Sequence, residues 1–324
     1  MGICGISRDM ERNASNLMDK DLLSKMQCRH CGGAYIAVSL NDSPLSDTFN
    51  FTRLNCSECG HVLEVRDGIL NTFPSGDLSR EAWNHLYDKA PKMEKSLFVS
   101  ALQRGFENNK LLASYYPLAR MAREFSAPIQ SSLELGAGSG TYSLILKKLG
   151  FVKEVTLLDY SYSALKAARS LFSYFGENCN LVLARLEEAP FIPGAFDLAL
   201  SGGVIEHYSS ASERLSCFKA HLRHAKLAYI QAPANAPCYW LQRALITIIK
   251  KGWPFGYEKP VTIREIEEYA NISDTRIVIA EYQYFMNMIV FWAPWLTRAQ
   301  YIASKGWGLE PLRTDIAVLI GCNN

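Results

Sequence analysis

Hydrophobic positions along this 324-residue chain change period three times. Between residues 34 and 65 they fall in short strand-like runs, Ala34-Tyr35-Ile36-Ala37-Val38 and His61-Val62-Leu63-Glu64-Val65. From Phe98 to Phe125 the spacing turns helical, with Leu102, Phe106, Leu111, Leu112, Tyr115, Leu118, Met121 and Ala122 on the pattern, and Pro117 kinks or divides the helix. A short helix is expected near Glu81–Tyr87. After residue 130, apolar strand runs alternate with helical stretches. Strands are predicted at Ser131–Leu135, Val155–Asp159, Leu181–Leu183, Phe196–Leu200, Lys226–Ala232, Arg276–Glu281 and Ile316–Gly321. Helices are predicted at Tyr142–Leu149 and Leu241–Lys251, with a third after Thr262, where Glu265 three residues on completes a capping box. That alternation predicts an α/β fold behind a small β-rich head.

Composition narrows the class. Hydrophobic residues at 48% and charged residues at 20% suffice for a full core. Thirty-four basic against thirty-two acidic residues leave +2. Residues 1–75 hold seven Lys/Arg and nine Asp/Glu (−2), 76–237 hold eighteen and fifteen (+3), and the remainder carries +1. No segment offers the concentrated basic stripe on which nucleic-acid affinity rests, so a nucleic-acid partner is disfavoured by charge. The first residues lack an apolar core, and no run of about 18 apolar residues occurs, so neither a secretory leader nor a spanning helix is expected. The expectation is a cytoplasmic protein with reduced thiols.

Nine cysteines then become informative. Four form two pairs, Cys28-Arg29-His30-Cys31 and Cys56-Ser57-Glu58-Cys59, in the pattern C-x2-C-x24-C-x2-C, with glycine after each pair. Two residues between thiolates let the chain bend around a metal, and two such knuckles complete a tetrahedral Cys4 site for structural Zn2+. His30 and His61 are read as bystanders, and the other five cysteines show no metal spacing. The head, with Val65-Arg66-Asp67-Gly68-Ile69-Leu70 at its end, resembles the zinc-ribbon activator of tRNA and translation-factor methyltransferases, and ribbons fused ahead of bacterial methyltransferases.

A glycine loop, Glu134-Leu135-Gly136-Ala137-Gly138-Ser139-Gly140, follows the first strand of the alternating region. Its order is G-x-G-x-G, which differs from the dinucleotide fingerprint, and it lacks the Gly-Lys-Ser/Thr of a P-loop. Glu134 at the strand end suits a ligand bearing an ammonium group. This segment resembles motif I of class I S-adenosylmethionine-dependent methyltransferases. Three further segments resemble the family's later motifs in order: Val155–Tyr160, with Asp159 as acceptor for a ribose diol; Leu181–Phe191, the adenine-side loop; and Phe196–His207, at the end of strand four.

The resemblance implies a Rossmann-like seven-stranded methyltransferase sheet with a small N-terminal zinc ribbon. It implies S-adenosyl-L-methionine as cofactor, held by Glu134, Gly136, Ala137, Gly138, Gly140, Asp159, Tyr160, Leu186, Glu187 and Gly202. Arg185 stands where the family commonly has an Asp that accepts from the adenine amine, and an arginine cannot accept. Either the Leu186 backbone and Glu187 take that role, or the adenine contact is looser. Glu206-His207 follows strand four, and His207 is the candidate base or substrate-orienting group; Glu206 is expected to stabilise a helix start by its charge.

The organisation expected is a ribbon over 1–75, a linker over 76–97 and a catalytic domain over 98–324, with substrate-side insertions near 233–260 and 282–307. Eight of the 26 residues from 282 to 307 are aromatic, which fits a core cover, the wall of an apolar acceptor pocket, or interfacial membrane contact. The acceptor expected is a small molecule of natural-product or lipid-like kind. The rival is an RNA base methyltransferase (rRNA or tRNA) that engages its substrate through the ribbon, and a non-catalytic cofactor-binding partner protein is a third reading.

Overall fold

The computed structural model describes residues 17–39, 48–73, 87, 97–107, 118, 121–122, 129–284 and 313–322. Five strands make the head: β1 (Leu17–Asp19), β2 (Tyr35–Ser39), β3 (Thr48–Cys56), β4 (Val62–Arg66) and β5 (Ile69–Asn71), with the short helix α1 (Lys20–Ser24) after β1. Helix α2 (Leu97–Glu107) then leads toward the main sheet. There the elements run β6 (Ile129–Leu135), α3 (Thr141–Lys148), β7 (Val152–Asp159), α4 (Tyr162–Tyr174), β8 (Asn180–Leu183) and β9 (Phe196–Gly202). The chain continues through α5 (Ala211–His224), β10 (Ala225–Pro233), α6 (Pro237–Lys250), α7 (Ile263–Ile272), β11 (Thr275–Tyr284) and β12 (Arg313–Cys322).

Among the described residues one sheet runs β1-β3-β4-β5-β8-β7-β6-β9-β10-β12-β11, with β2 paired to β3. The seven strands from β8 to β11 are parallel except β12, which lies antiparallel between β10 and β11. This is the Rossmann-like seven-stranded sheet that the sequence implied. The central strands are buried along nearly their whole length, as covering on both faces requires. Leu133, Leu135, Leu157, Leu158, Leu198 and Leu200 are fully shielded within them.

The head is not a bead on a string. Strand β5 pairs in parallel with β8, Ile69 opposite Leu181 and Asn71 opposite Leu183, so the ribbon's sheet continues the large one. Sequence reasoning missed β3, which fills much of the insert between the knuckles: its apolar run, Phe49 to Leu54, is broken by polar residues, although Asn41-Asp42-Ser43-Pro44 supplies a turn signal ahead of it. Helix α6 begins at Pro237 rather than Leu241, because proline is tolerated at the first helical position. Strand β11 extends to Tyr284, which takes Tyr282 and Tyr284 out of the expected insertion. The rest of that insertion, 285–307, and all of the expected 81–87 helix except Tyr87, lie outside the described residues. No helix among the described residues is long and apolar enough to cross a membrane.

Candidate active site and metal cluster

Strands β6, β7, β9 and β10 all end at the same edge of the sheet, where ligands bind in such folds. At that edge β6 runs into the glycine loop. Gly136, Gly138 and Gly140 all adopt positive φ, so the loop folds tightly against its neighbours. A Cβ on Gly140 would meet Leu157 Cδ1 at 2.5 Å, and one on Gly136 would meet Val204 Cγ2 at 2.6 Å. The Ala137 amide donates to the Leu158 carbonyl at 3.0 Å, which ties the loop to β7.

Two carboxyl groups are buried under this loop. Asp159, at the tip of β7, accepts from the Gly138 amide (2.8 Å) on Oδ2 and from the Ser161 amide (2.8 Å) on Oδ1. Burial pushes its pKa up to about 6, partly opposed by those amides. Glu134 Oε2 accepts from the Ser143 amide at 3.0 Å. That bond caps α3, whose N-cap Gly140 has no side chain to do so. Burial raises Glu134 to about 7 despite the cap, and the nearby Asp159 adds to the rise. Each carboxylate thus has a structural duty and retains acceptor capacity.

Tyr87 joins them, which no sequence pattern announced. Its hydroxyl stands where a Cβ on Gly138 would project. Burial, with Asp159 and Glu134 beside it, raises its pKa and keeps the phenol protonated. The hydroxyl therefore has a proton to donate close to both acids.

Tyr160 follows Asp159 and is half-buried, and burial raises its phenol to about 12. The adenine-side loop bends through a single helical turn, Leu186–Glu188, with Leu186 buried and Glu187 exposed. Glu187 Oε1 accepts from the Tyr208 hydroxyl at 2.7 Å, while Arg185 is exposed. Gly202 ends β9, and a Cβ there would enter the Tyr142 ring. The sequence-predicted cofactor residues thus gather along one edge: Glu134, the glycine loop and Asp159 at its centre, Leu186 and Glu187 on the β8 side, and Gly202 on the β9 side.

Beyond β9, Ile205–His207 form a second single helical turn. His207 Nδ1 donates to the Tyr257 carbonyl at 2.7 Å, and its Nε2 lies 4.0 Å from Glu206 Oε1. Burial lowers the His207 pKa, so the ring is neutral, and the Nδ1 proton leaves the lone pair on Nε2. Glu206 does not act as a charge at a helix start. It is buried, and desolvation, with repulsion from Glu258 and Asp315, pushes its pKa well above the usual carboxylate range. Helix α5 instead starts at Ala211, capped reciprocally by Ser210 and Glu213. The segment after β10 folds back over this turn: the Val261 amide donates to the Pro233 carbonyl (2.9 Å) and the Lys259 amide to the Glu206 carbonyl (2.9 Å).

In the head, Cys28, Cys31, Cys56 and Cys59 place their sulfurs within 4.8 Å of one another. Cys28 Sγ lies 3.7 Å from Cys59 Sγ, and Cys31 Sγ lies 3.4 Å from Cys56 Sγ. A Zn–S bond of about 2.3 Å in a tetrahedron separates sulfurs by about 3.8 Å, so the donor set fits. The knuckle turns are closed by the Gly32 amide on the Cys28 carbonyl (2.8 Å) and the Gly60 amide on the Cys56 carbonyl (3.1 Å). His61 is not part of this donor set and bonds the Tyr35 hydroxyl through Nδ1 at 3.0 Å.

Residues 133–229 match the family described as a methyltransferase domain. No curated protein matches the chain in sequence. Similar solved structures include a SAM-dependent methyltransferase from Methanosarcina mazei, 15% identical over 64% of this chain and 97% of that one, with a TM-score of 0.47. Others are magnesium protoporphyrin IX methyltransferase from Synechocystis PCC 6803 with bound SAH (13%, 75% and 93%, TM-score 0.46) and geranyl diphosphate C-methyltransferase from Streptomyces coelicolor A3(2) (11%, 63% and 76%, TM-score 0.43). The matched segment spans β6 to β10 and contains the glycine loop, Asp159, the adenine-side loop and the turn after β9 in one order. The chain therefore carries a class I S-adenosylmethionine-dependent methyltransferase domain, preceded by a Cys4 cluster compatible with a zinc ribbon.

Proposed function

We propose that this enzyme methylates a small-molecule acceptor, of natural-product or lipid-like kind, at the carboxyl edge of β6, β7, β9 and β10. One observation carries the reading: the described walls of that edge are rich in rings, with a buried carboxyl among them. Tyr142, Tyr160, Tyr208 and His207 stand around it, and Glu206 is buried beside it. Among the described cations, Arg243 is already engaged by the Tyr239 hydroxyl and the Glu258 carbonyl, and Arg214 by Glu265. A phosphate backbone would find few partners here, which weighs against RNA.

When bound, S-adenosyl-L-methionine supplies an activated sulfonium methyl. In this reading Asp159 takes the ribose diol, Glu134 faces the ammonium group, and Gly136, Ala137, Gly138 and Gly140 let the backbone approach. Tyr160, Leu186 and Glu187 border the adenine, and Gly202 leaves room beside Tyr142. Such a displacement asks the protein mainly for proximity and alignment. His207, neutral and with Nε2 basic, orients the acceptor or takes its proton. Cys28, Cys31, Cys56 and Cys59 hold structural zinc. The domain limits proposed are 1–75, 76–97 and 98–324, in a cytoplasmic enzyme.

The test has two stages. Titration calorimetry with S-adenosylmethionine should give a one-site isotherm in the micromolar range. Label from methyl-labelled cofactor should then enter organic-soluble metabolites of a cell extract. Transfer to bulk tRNA or rRNA instead would replace this acceptor class with RNA.

A further inference from the structure

Helix α6 is mounted with its polar side inward. Its apolar row, Leu241, Leu245 and Ile248, has the i, i+4, i+7 spacing that a soluble helix turns toward the core. Here those residues are 56%, 47% and 75% exposed, with Ile249 (73%) and Trp240 (47%) beside them. The inward side holds Tyr239 and Arg243, and Arg243 donates to the Tyr239 hydroxyl at 3.1 Å and to the Glu258 carbonyl at 2.8 Å. Its guanidinium also lies 5.0 Å from the centre of the Trp253 ring. These polar contacts fix the helix in this rotation. Scattered surface leucines need no cause, but four neighbouring large apolar side chains on one helix face do.

The charge around the face selects its occupant. Residues 237–257 contain Arg243, Lys250 and Lys251 and no acidic residue. Lys250 and Lys251 are exposed at the helix end, and Phe255 and Tyr257 are exposed just beyond. A second copy of the chain meeting this face across a two-fold axis would bring two faces of the same positive sign together, with no carboxylate from residues 237–257 to offset them. An anionic lipid surface satisfies both halves: acyl chains take the Leu-Ile row, and headgroup phosphates take the lysines. Fourteen residues span about 21 Å, short of the roughly 30 Å hydrocarbon core, so the helix lies along the surface. We infer that α6 docks the enzyme peripherally on an anionic lipid bilayer. The helix starts four residues after β10 ends, so docking brings the carboxyl edge of the sheet close to the lipid. The docking inference stands apart from the identity of the acceptor.

Flotation of the full-length protein with phosphatidylcholine vesicles containing 30% phosphatidylglycerol tests it, with pure phosphatidylcholine as control. The wild type should float with the anionic vesicles and be released by high salt. Lys250→Gln/Lys251→Gln should lower the partition coefficient roughly 25-fold, about fivefold per charge removed. Leu245→Asp/Ile248→Asp should abolish flotation while S-adenosylmethionine binding by calorimetry stays unchanged, which separates lost docking from lost folding. A wild type that stays unbound at low salt overturns the inference, as does an Asp variant that floats like wild type. A dimer that the Asp variants dissociate, without any flotation, gives the face to a second copy and also overturns it.

Discussion

The Gly138 amide donates to Asp159 Oδ2 at 2.8 Å, joining the glycine loop to the tip of the second strand across 21 residues. The acid that would hold the ribose therefore also sets the height of the loop beneath it. Asp159→Asn presents an N–H₂ group to one of two backbone donors and weakens both functions. Hydrogen bonds to a charged acceptor are worth about 1.5–3 kcal/mol, so cofactor affinity should fall roughly 10- to 150-fold by calorimetry. An Asn variant with wild-type affinity would remove Asp159 from the site.

Gly138 is held at φ 54, and a side chain there would strike the Tyr87 hydroxyl. Gly138→Ala meets two penalties, left-handed strain and the clash with Tyr87. The variant should bind S-adenosylmethionine at least about tenfold more weakly, since left-handed strain alone costs on the order of 1–2 kcal/mol. Tyr87→Phe in that background removes the clashing oxygen and should recover part of the loss. The same substitution in the wild type should weaken binding by removing a buried donor. Opposite signs in the two backgrounds are the outcome that places Tyr87 over the loop.

Glu134 titrates at about 7 because it is buried, against 4.5 for an ordinary glutamate. The folded apoprotein holds this proton more tightly than the unfolded chain does. Its contribution to stability is therefore full below pH 4.5 and is lost as pH rises toward 7, about 3 kcal/mol in all. A bound ammonium group favours the ionised form, so cofactor affinity runs the opposite way. It should be about tenfold weaker at pH 6 than at pH 8. Glu134→Gln should flatten most of that profile and leave the smaller change from Asp159, which titrates at about 6. A pH-independent wild-type affinity would refute the pairing.

The parts legible in the sequence are those where local geometry dictates residue type. Gly136, Gly138 and Gly140 sit where the backbone must turn left-handed, and the Cys pairs sit where two knuckles must converge. The succession of strands and helices in the main sheet followed from the alternation of periods. What was not legible depends on contacts between distant segments. Tyr87 meets Gly138 from 51 positions away, and β5 meets β8 from more than 100, with no local signature in either. Glu206 reads as a charged helix-start residue until its burial beside Glu258 and Asp315 is known. The helical period of α6 was visible, but the side facing the body was not, because Arg243 finds its partners in residues 239 and 258.

His207 anchors the 257 region through Nδ1 and keeps Nε2 as its basic atom. His207→Asn retains a donor for the Tyr257 carbonyl but offers no basic nitrogen, whereas His207→Ala loses both. Both variants should lower kcat by roughly 100-fold, the low end for a general base, with KM within about twofold. Because burial lowers the ring's pKa, wild-type kcat should hold steady to below pH 6.5 before it falls. Full activity in the Asn variant would assign His207 to anchoring alone.

The Cys4 cluster borders the adenine-side loop. Just before Cys28, the Gln27 amide donates to the Pro190 carbonyl at 3.0 Å, and the Ile192 amide donates to the Lys25 carbonyl at 2.9 Å. Farther along the head, β5 covers the edge of β8, whose last residues lead into the same loop. Structural zinc sites commonly supply the folding free energy of their ribbon, so removing the metal should unfold the head. That would release the loop carrying Leu186 and Glu187 and expose the unpaired edge of β8, a template for aggregation. Chelation, or Cys28→Ser/Cys59→Ser, should therefore lower the Tm, weaken cofactor binding several-fold (roughly 1 kcal/mol for two lost backbone bonds), and promote association. Zinc content measured alongside separates metal loss from mutation, and re-addition of zinc should restore the chelated wild type but not the double variant. A chelated protein with unchanged Tm and affinity would show that the head and the catalytic sheet stand independently despite their shared strands.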